Sequence, residues 1–384
     1  MAGFSSTGAL NTNAPSLPWR RANVRHTSNE MYVDIIETLS VTLAPSGRPL
    51  AAFASGTIAF TSKLSGVPDL QLTLSTPSGK HNFNSVMELP VFHPCVRLAK
   101  WRENPGELSF IPPDGRFVLA GYEVDLLPFQ NGKSGNSSAS NLKLPVNIEV
   151  KTGLGPQGSD FEVRLFIQKV SGSGNSSLGS TGARGSGPIA GRGASAFAAN
   201  FGPQAGTSTT PTLEDLVVTI PLPEDVRNLP EIRPSRGDTT YSPGSRKLDW
   251  TIPAKDAVVG GATLRCTVAG PLIAVEDFES NGFGTNNDYD YEESAYQASS
   301  HERSSKESSA GGEEKDARKT AQNKILMPTS ASVSFSVRGW LASGIKVESL
   351  TIDTRKSKGM GESVKPYKGV KYLTVSNHGV ELRC

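Results

Sequence analysis

Apolar residues recur at every second position over several stretches of this chain. Phe161, Val163, Leu165 and Ile167 alternate with Glu162, Arg164, Phe166 and Gln168, and Val333, Phe335 and Val337 alternate with Ser332, Ser334, Ser336 and Arg338. A period of two is the mark of a strand with one buried face. Turn chemistry punctuates these runs: Pro45-Ser46-Gly47 between two apolar stretches, Pro112-Pro113-Asp114-Gly115 after LSFI, and Asn377-His378-Gly379 near the C-terminus. No segment carries an apolar stripe of helical spacing. The pattern predicts an all-β protein whose many short strands pack as sandwiches.

Two stretches break the pattern. Residues 171–210 are mostly Gly, Ser and Ala, with too little apolar surface to offset the entropy of ordering, so a flexible insert is expected. Residues 279–320 are the acidic counterpart, and their helix-forming letters lack an apolar face. Gly 39 and Pro 26, with only 36% hydrophobic residues in 384, agree with a chain rich in loops. Residues 1–29 read as the end of a linker.

Charge narrows the partners. With 39 basic against 37 acidic residues, nothing calls for nucleic acid, which needs a basic excess on one face. The excess is local: residues 341–384 hold eight Lys or Arg against four Asp or Glu, whereas residues 276–319 hold five against twelve. The basic groups of Pro18-Trp19-Arg20-Arg21 and of Lys356, Lys358, Lys365 and Lys368 therefore pose a choice between attraction to anionic lipid and simple solvation. Cys95, Cys266 and Cys384 are odd in number and far apart, with no Cys-x-x-Cys, which argues against a disulfide framework and a zinc site and fits a reducing cytosol. No run of 18 apolar residues exists, and the first 17 residues lack the basic start and apolar centre of a secretory signal, so a soluble chain with at most peripheral membrane contact is expected. No metal or cofactor is implied.

Five blocks carry a family resemblance: PWRRANV at 18–24, NEMYVDIIE at 29–37, KLSGVPDL at 63–70, FHPCVRLAKW with LSFIPPDGRF across 92–117, and KPYKGVKYLTVSNHGVELRC from 365 to Cys384. In this order they resemble the mu-homology domain of clathrin-adaptor medium subunits, of the type found in adaptor complex 3. The likeness is dense over 18–125 and 340–384, thinner around Leu248 to Trp250, and absent from the two low-complexity stretches. It implies two β-sandwich subdomains, the second inserted into the first: residues 30–150 plus 342–384 as subdomain A, and 151–341, with both inserts, as subdomain B. It also implies a reader of cargo peptides without enzymatic activity. Such a subunit acts in vesicle transport from Golgi or endosomes toward vacuole or lysosome, peripherally on the cytoplasmic face of those membranes. Large (beta-type and delta-type) and small (sigma-type) adaptor subunits would be its partners. The longin-like domain through which such subunits dock on the large partner has no counterpart in these 384 residues, which leaves assembly open.

The resemblance further implies a site for Tyr-x-x-Φ signals, Φ being a bulky apolar residue, bound as a strand added to a sheet edge. Its tyrosine pocket comprises Tyr32, Asp34 as acceptor of the cargo hydroxyl, and Lys371 where an arginine is common. Thr61 stands at a lysine position and Gly369 at a tryptophan position, two changes expected to weaken binding. The Φ pocket comprises Met31, Val33, Val347, Leu350 and Val370. From the residues alone a second reading stays open, in which Tyr32 to Ile36 is an ordinary core strand with Asp34 solvated at its edge and the other apolar residues are plain core. A structural coat subunit with no remaining cargo binding is the corresponding alternative function.

Other motifs are weaker. Gly153-Leu154-Gly155-Pro156-Gln157-Gly158 spells a dinucleotide fingerprint, but a strand pattern follows it and Pro156 interrupts it. His93-Pro94-Cys95 lacks a second ligand pair or a base. Asp34 and Glu37, as an i, i+3 pair on a strand, point to opposite faces and cannot act together on a glycoside. The five histidines show no grouping that would serve an all-β hydrolase.

Overall fold

The computed structural model describes residues 17–77, 83–127, 142–170, 210–271, 319–361 and 365–384. Among these residues the chain is built mostly of strands, as the period-two pattern predicts. A nine-stranded sheet runs through the molecule in the order β11-β12-β9-β14-β16-β1-β2-β6-β4. Its strands are β1 (Glu30–Leu43), β2 (Pro49–Lys63), β4 (Glu88–Phe92), β6 (Gly115–Asp125), β9 (Thr212–Pro221), β11 (Asp238–Ser242), β12 (Lys247–Ile252), β14 (Ser330–Arg338) and β16 (Tyr367–Arg383). A three-stranded sheet, ordered β15-β3-β5, is formed by β3 (Leu70–Ser75), β5 (Glu107–Phe110) and β15 (Lys346–Ile352). A four-stranded sheet, ordered β10-β13-β8-β7, is formed by β7 (Val146–Leu154), β8 (Asp160–Ile167), β10 (Asn228–Pro234) and β13 (Gly260–Ala269).

Two cores follow from this arrangement. One half of the long sheet packs on the three-stranded sheet around Met31, Val33, Ile35, Phe60, Leu72, Phe110 and Leu350. The other half packs on the four-stranded sheet around Phe161, Val163, Leu165, Val218, Trp250, Val333, Phe335 and Val337. The chain enters the second sandwich after β6 and returns from β14 to β15, which is the inserted topology expected. The two units share strands, however. Met31, Val33 and Ile35 of β1 lie in the first core, and Leu39, Val41 and Leu43 of the same strand lie in the second. The expected boundary at 150/151 falls inside β7, whose Val146 and Ile148 already belong to the second core.

Three sequence expectations need correction. Asn377-His378-Gly379 is no turn: β16 runs straight through it, with register breaks opposite Thr38/Val41 and Val333/Phe335. His378 takes φ 51°, and a Cβ on Gly379 would lie 2.1 Å from the Leu39 carbonyl oxygen, so the tripeptide is a bulge that re-aims a long strand. The linker expected over 1–29 ends earlier, because residues 17–29 are tied to the first sandwich. Trp19 donates its Nε1 to the Ile111 carbonyl at 2.9 Å, and the Gly66 amide donates to the Val24 carbonyl at 2.8 Å. Arg20, for which the sequence leaves lipid attraction and simple solvation as the open choices, does neither and is buried. Its guanidinium donates to the carbonyls of Leu64, Gly66 and Pro112 and to Ser62 Oγ. Arg20→Met is expected to cost about 2–3 kcal/mol in urea denaturation, because buried carbonyls would lose a charged donor.

The inserts expected at 171–210 and 279–320 lie outside the described residues, apart from Thr210 and from Lys319 and Thr320, which open a short helix over 319–325. The glycine motif at 153–158 turns the β7–β8 hairpin, with Gly153, Gly155 and Gly158 all at positive φ. Cys95 and Cys266 are buried free thiols pushed up to about 12 by burial, which makes them inert packing groups.

Candidate peptide-binding site

β1 lies between β16, which is parallel to it, and β2, which is antiparallel. Because paired residues on neighbouring strands share a face, the register writes out the surface of the sheet row by row. One row reads Arg116, Thr61, Tyr32, Gly369, and the next reads Val118, Ala59, Asp34, Lys371. All five residues of the expected tyrosine pocket therefore stand on one face, in two adjacent rows. It is the outer face: Met31, Val33 and Ile35, of opposite parity on β1, are fully buried, while Tyr32 and Asp34 are half-exposed.

Local contacts set the pocket's electrostatics. The Tyr32 hydroxyl donates to Glu30 Oε2 at 3.2 Å, and Lys63 Nζ approaches the same oxygen at 3.5 Å. Partial desolvation and the Glu30 carboxylate raise the Tyr32 phenol above its usual range, and hydrogen bonds from Ser28 and Tyr32 lower Glu30. Asp34 Oδ2 is 3.3 Å from an Arg116 guanidinium nitrogen. Sequence reasoning missed Arg116, because its place beside Asp34 depends on the β2–β6 register. Lys371 is exposed beside Asp34 in the register and has no ion-pair partner among the described residues. Gly369 is more than a missing side chain. A Cβ there would meet Tyr32 Cδ1 at 2.6 Å, so the Tyr32 ring lies across the glycine, with the Tyr367 ring 5.8 Å away.

The edge needed for strand addition is present. β14 pairs with β16 only from Leu373 to Arg383, and among the described residues no strand pairs with the edge of β16 away from β1 at 368–371. The Tyr367 amide donates to the Asn29 carbonyl, and Tyr372 accepts from the Gly339 amide on the other side. Since main-chain groups alternate sides along a strand, the N–H and C=O groups of Lys368 and Val370 face the unpaired edge.

The expected Φ residues divide. Met31, Val33 and Leu350 are at most 1% exposed and belong to the core. Only Val347 and Val370 are partly open, on the edges of the two facing sheets. Two side chains bridge those edges: Lys368 Nζ donates to the Leu350 carbonyl at 2.7 Å, and the Val347 amide donates to the Tyr372 hydroxyl at 2.9 Å. Burial lowers the Lys368 ammonium, and its bond to the Leu350 carbonyl removes it from both of the open choices, lipid attraction and free solvation. Lys356 is likewise engaged, by Asp353 at 2.8 Å. No cluster of His, Cys, Asp or Glu among the described residues has the grouping of a metal site.

The sequence pattern described as "Adaptor complexes medium subunit family" matches residues 17–384. The chain belongs to that family. Among its relatives, the human AP-3 complex subunit mu-1 is 26% identical over 359 residues, covering 94% of this chain and 59% of that protein. The human AP-3 complex subunit mu-2 is 31% identical over 236 residues, 62% of this chain and 43% of the relative. The chain thus spans less than two thirds of the length of either. In fold it is similar to a chain of the homology model of the full-length AP-3 complex in an intermediate open conformation, with a TM-score of 0.51, 19% identity, and 93% of this chain and 69% of the other covered. The geometry of β1 also separates two carboxylates in this domain. Its Asp34 lies on the outer surface and its Glu37 is buried, so the two carboxylates do not share a cleft.

Proposed function

We propose that this domain reads Tyr-x-x-Φ sorting signals by strand addition to the 368–371 edge of β16, as the cargo-recognition part of an adaptor subunit in vesicle transport from Golgi or endosome to vacuole or lysosome. The observation that carries this reading is the register that sets Tyr32, Asp34 and Lys371 on one face, beside a strand edge that no other strand among the described residues pairs with. The cargo tyrosine ring packs against Tyr32, and its hydroxyl donates to Asp34. The Φ side chain enters between Val347 and Val370, displacing the Lys368 or Tyr372 bridge. Alternate side-chain pockets supply specificity while the main chain supplies affinity. By the same reading the partners are large beta-type and delta-type and small sigma-type adaptor subunits. The protein works on the cytoplasmic face of Golgi or endosomal vesicles, where Arg21, Lys358 and Lys365, all exposed, face anionic lipid. No helix among the described residues is long and apolar enough to cross a membrane.

Calorimetry with a Tyr-x-x-Leu peptide tests the site. Binding in the micromolar range, near −8 kcal/mol, is expected. Asp34→Ala, or phenylalanine in place of the peptide tyrosine, is expected to weaken it about tenfold, because a buried hydroxyl or its partner is left unpaired. Equal affinity for the tyrosine and phenylalanine peptides would reject the site. No binding at all would favour a structural coat role, with Lys368 and Tyr372 holding the apolar position shut.

A further inference from the structure

We infer that Arg116, on β6, supplies the cation of the tyrosine pocket that Thr61 lacks, and so is a specificity-determining residue for the cargo tyrosine; this rests on the peptide-reading function proposed above. Three observations carry it. Arg116 is the cross-strand partner of Thr61, one strand further from β1 and in the same row as Tyr32 and Gly369. The Arg116 side chain reaches from that row to the neighbouring one, where a guanidinium nitrogen lies 3.3 Å from Asp34 Oδ2. The Arg116 side chain is 60% exposed against 21% for Asp34, so the carboxylate is tucked in while the guanidinium stays open to an incoming group.

The chemistry follows from the donor inventory. A guanidinium offers five N–H donors in a planar fork, and the ion pair with Asp34 uses the end of that fork nearest the carboxylate. The rest can donate to a phenol oxygen that itself donates to Asp34. Lys371 is the register partner of Asp34 on the β16 side and is exposed, so a bound hydroxyl would have an acceptor with one cation at 3.3 Å and a second on the neighbouring strand. A phenylalanine ring offers neither atom. The two departures noted in the sequence are thus both filled from neighbouring strands: Gly369 by the Tyr32 ring, and Thr61 by Arg116.

The test is calorimetry of the whole chain with Tyr-x-x-Leu and Phe-x-x-Leu peptides. Arg116→Ala is expected to weaken the tyrosine peptide about fivefold to tenfold, to leave the phenylalanine peptide within about twofold, and so to collapse the ratio between them. Arg116→Lys, and the pair Arg116→Ala with Thr61→Lys, are expected to restore part of the ratio. A double-mutant cycle separates direct contact from mere support of Asp34: in the Asp34→Ala background, removal of Arg116 is expected to weaken the tyrosine peptide further. An unchanged ratio in Arg116→Ala, or no additional loss in the Asp34→Ala background, overturns the role of Arg116 while leaving the peptide reading intact. If the unmodified chain binds neither peptide, the reading fails and the inference falls with it.

Discussion

Glu37→Ala is expected to lower the stability of the domain by about 3–5 kcal/mol at pH 5, because it strips the acceptor from a buried polar network. Glu37 has the parity of Met31, Val33 and Ile35 on β1 and is 0% exposed. Its Oε1 accepts from the Tyr122 hydroxyl at 2.8 Å and from Ser343 Oγ, and its Oε2 accepts from the Ser343 amide at 3.0 Å. Ser343 lies where the chain returns from β14 to β15, so the carboxylate pins the exit of the inserted sandwich to the strand that both cores share. Tyr122 has no room to retreat, since its ring covers Gly56, where an added Cβ would fall 2.1 Å from Cζ. Burial raises the Glu37 pKa above the usual carboxylate range, against the pull of its hydrogen bonds. The native state therefore holds a proton that the unfolded chain has released. The stability tied to that proton is fully present below the unfolded value of 4.5 and is lost as pH rises through the raised native value, at no more than about 1.4 kcal/mol per pH unit. Urea midpoints of the natural chain and of Glu37→Gln, followed upward from pH 5, should converge or cross as the natural chain loses stability. Parallel curves would contradict a raised native pKa, and a loss below about 1 kcal/mol in Glu37→Ala would contradict the network.

Trp250→Ala is expected to cost about 3–5 kcal/mol, the range for emptying a large aromatic from a packed core. Trp250 is fully buried in the second sandwich, and its Nε1 donates to the Arg236 carbonyl at 2.7 Å. The loss should not stay local. β1 contributes to both cores, so melting the second sandwich unravels one end of a strand the first one needs. Trp101, buried in the first core, gives an independent fluorescence signal once Trp340, which packs against the second core, is replaced by phenylalanine. Its denaturation midpoint should fall together with the far-ultraviolet dichroism. A Trp101 transition that stays at its original midpoint would show that the two sandwiches unfold separately.

The strands were legible because alternation along a strand depends only on which face is buried. Phe161 to Ile167 and Val333 to Val337 behave as their period predicts, with the apolar set inside. What the alternation omits is the neighbour. Arg116 sits next to Thr61 through the β2–β6 register, a relation between positions far apart in sequence that no periodicity records. Arg20 and Lys368 look like surface cations by type, yet backbone carbonyls brought in by distant segments capture both. Asn377-His378-Gly379 has the composition of a turn, and only pairing on both flanks makes it a bulge. Glu37 was within reach of sequence reasoning, because a carboxylate on the apolar parity of a strand is a sign of a buried network. Tyr32 and Asp34 share a face as the strand period predicts, while Met31, Val33 and Leu350 are core residues beneath the proposed site.

The bare margin of β16 also works as a ruler. Among the described residues, Lys368 and Val370 turn their amides outward before Gly339 and β14 take over, a span of a few residues at about 3.3 Å each. On the proposed reading, a guest strand would zip up for roughly four residues before it collided with resident chain, so the gap itself would set how long a word could be read. The same brevity denies a second copy of the domain the long, flat border it would need to template stacking.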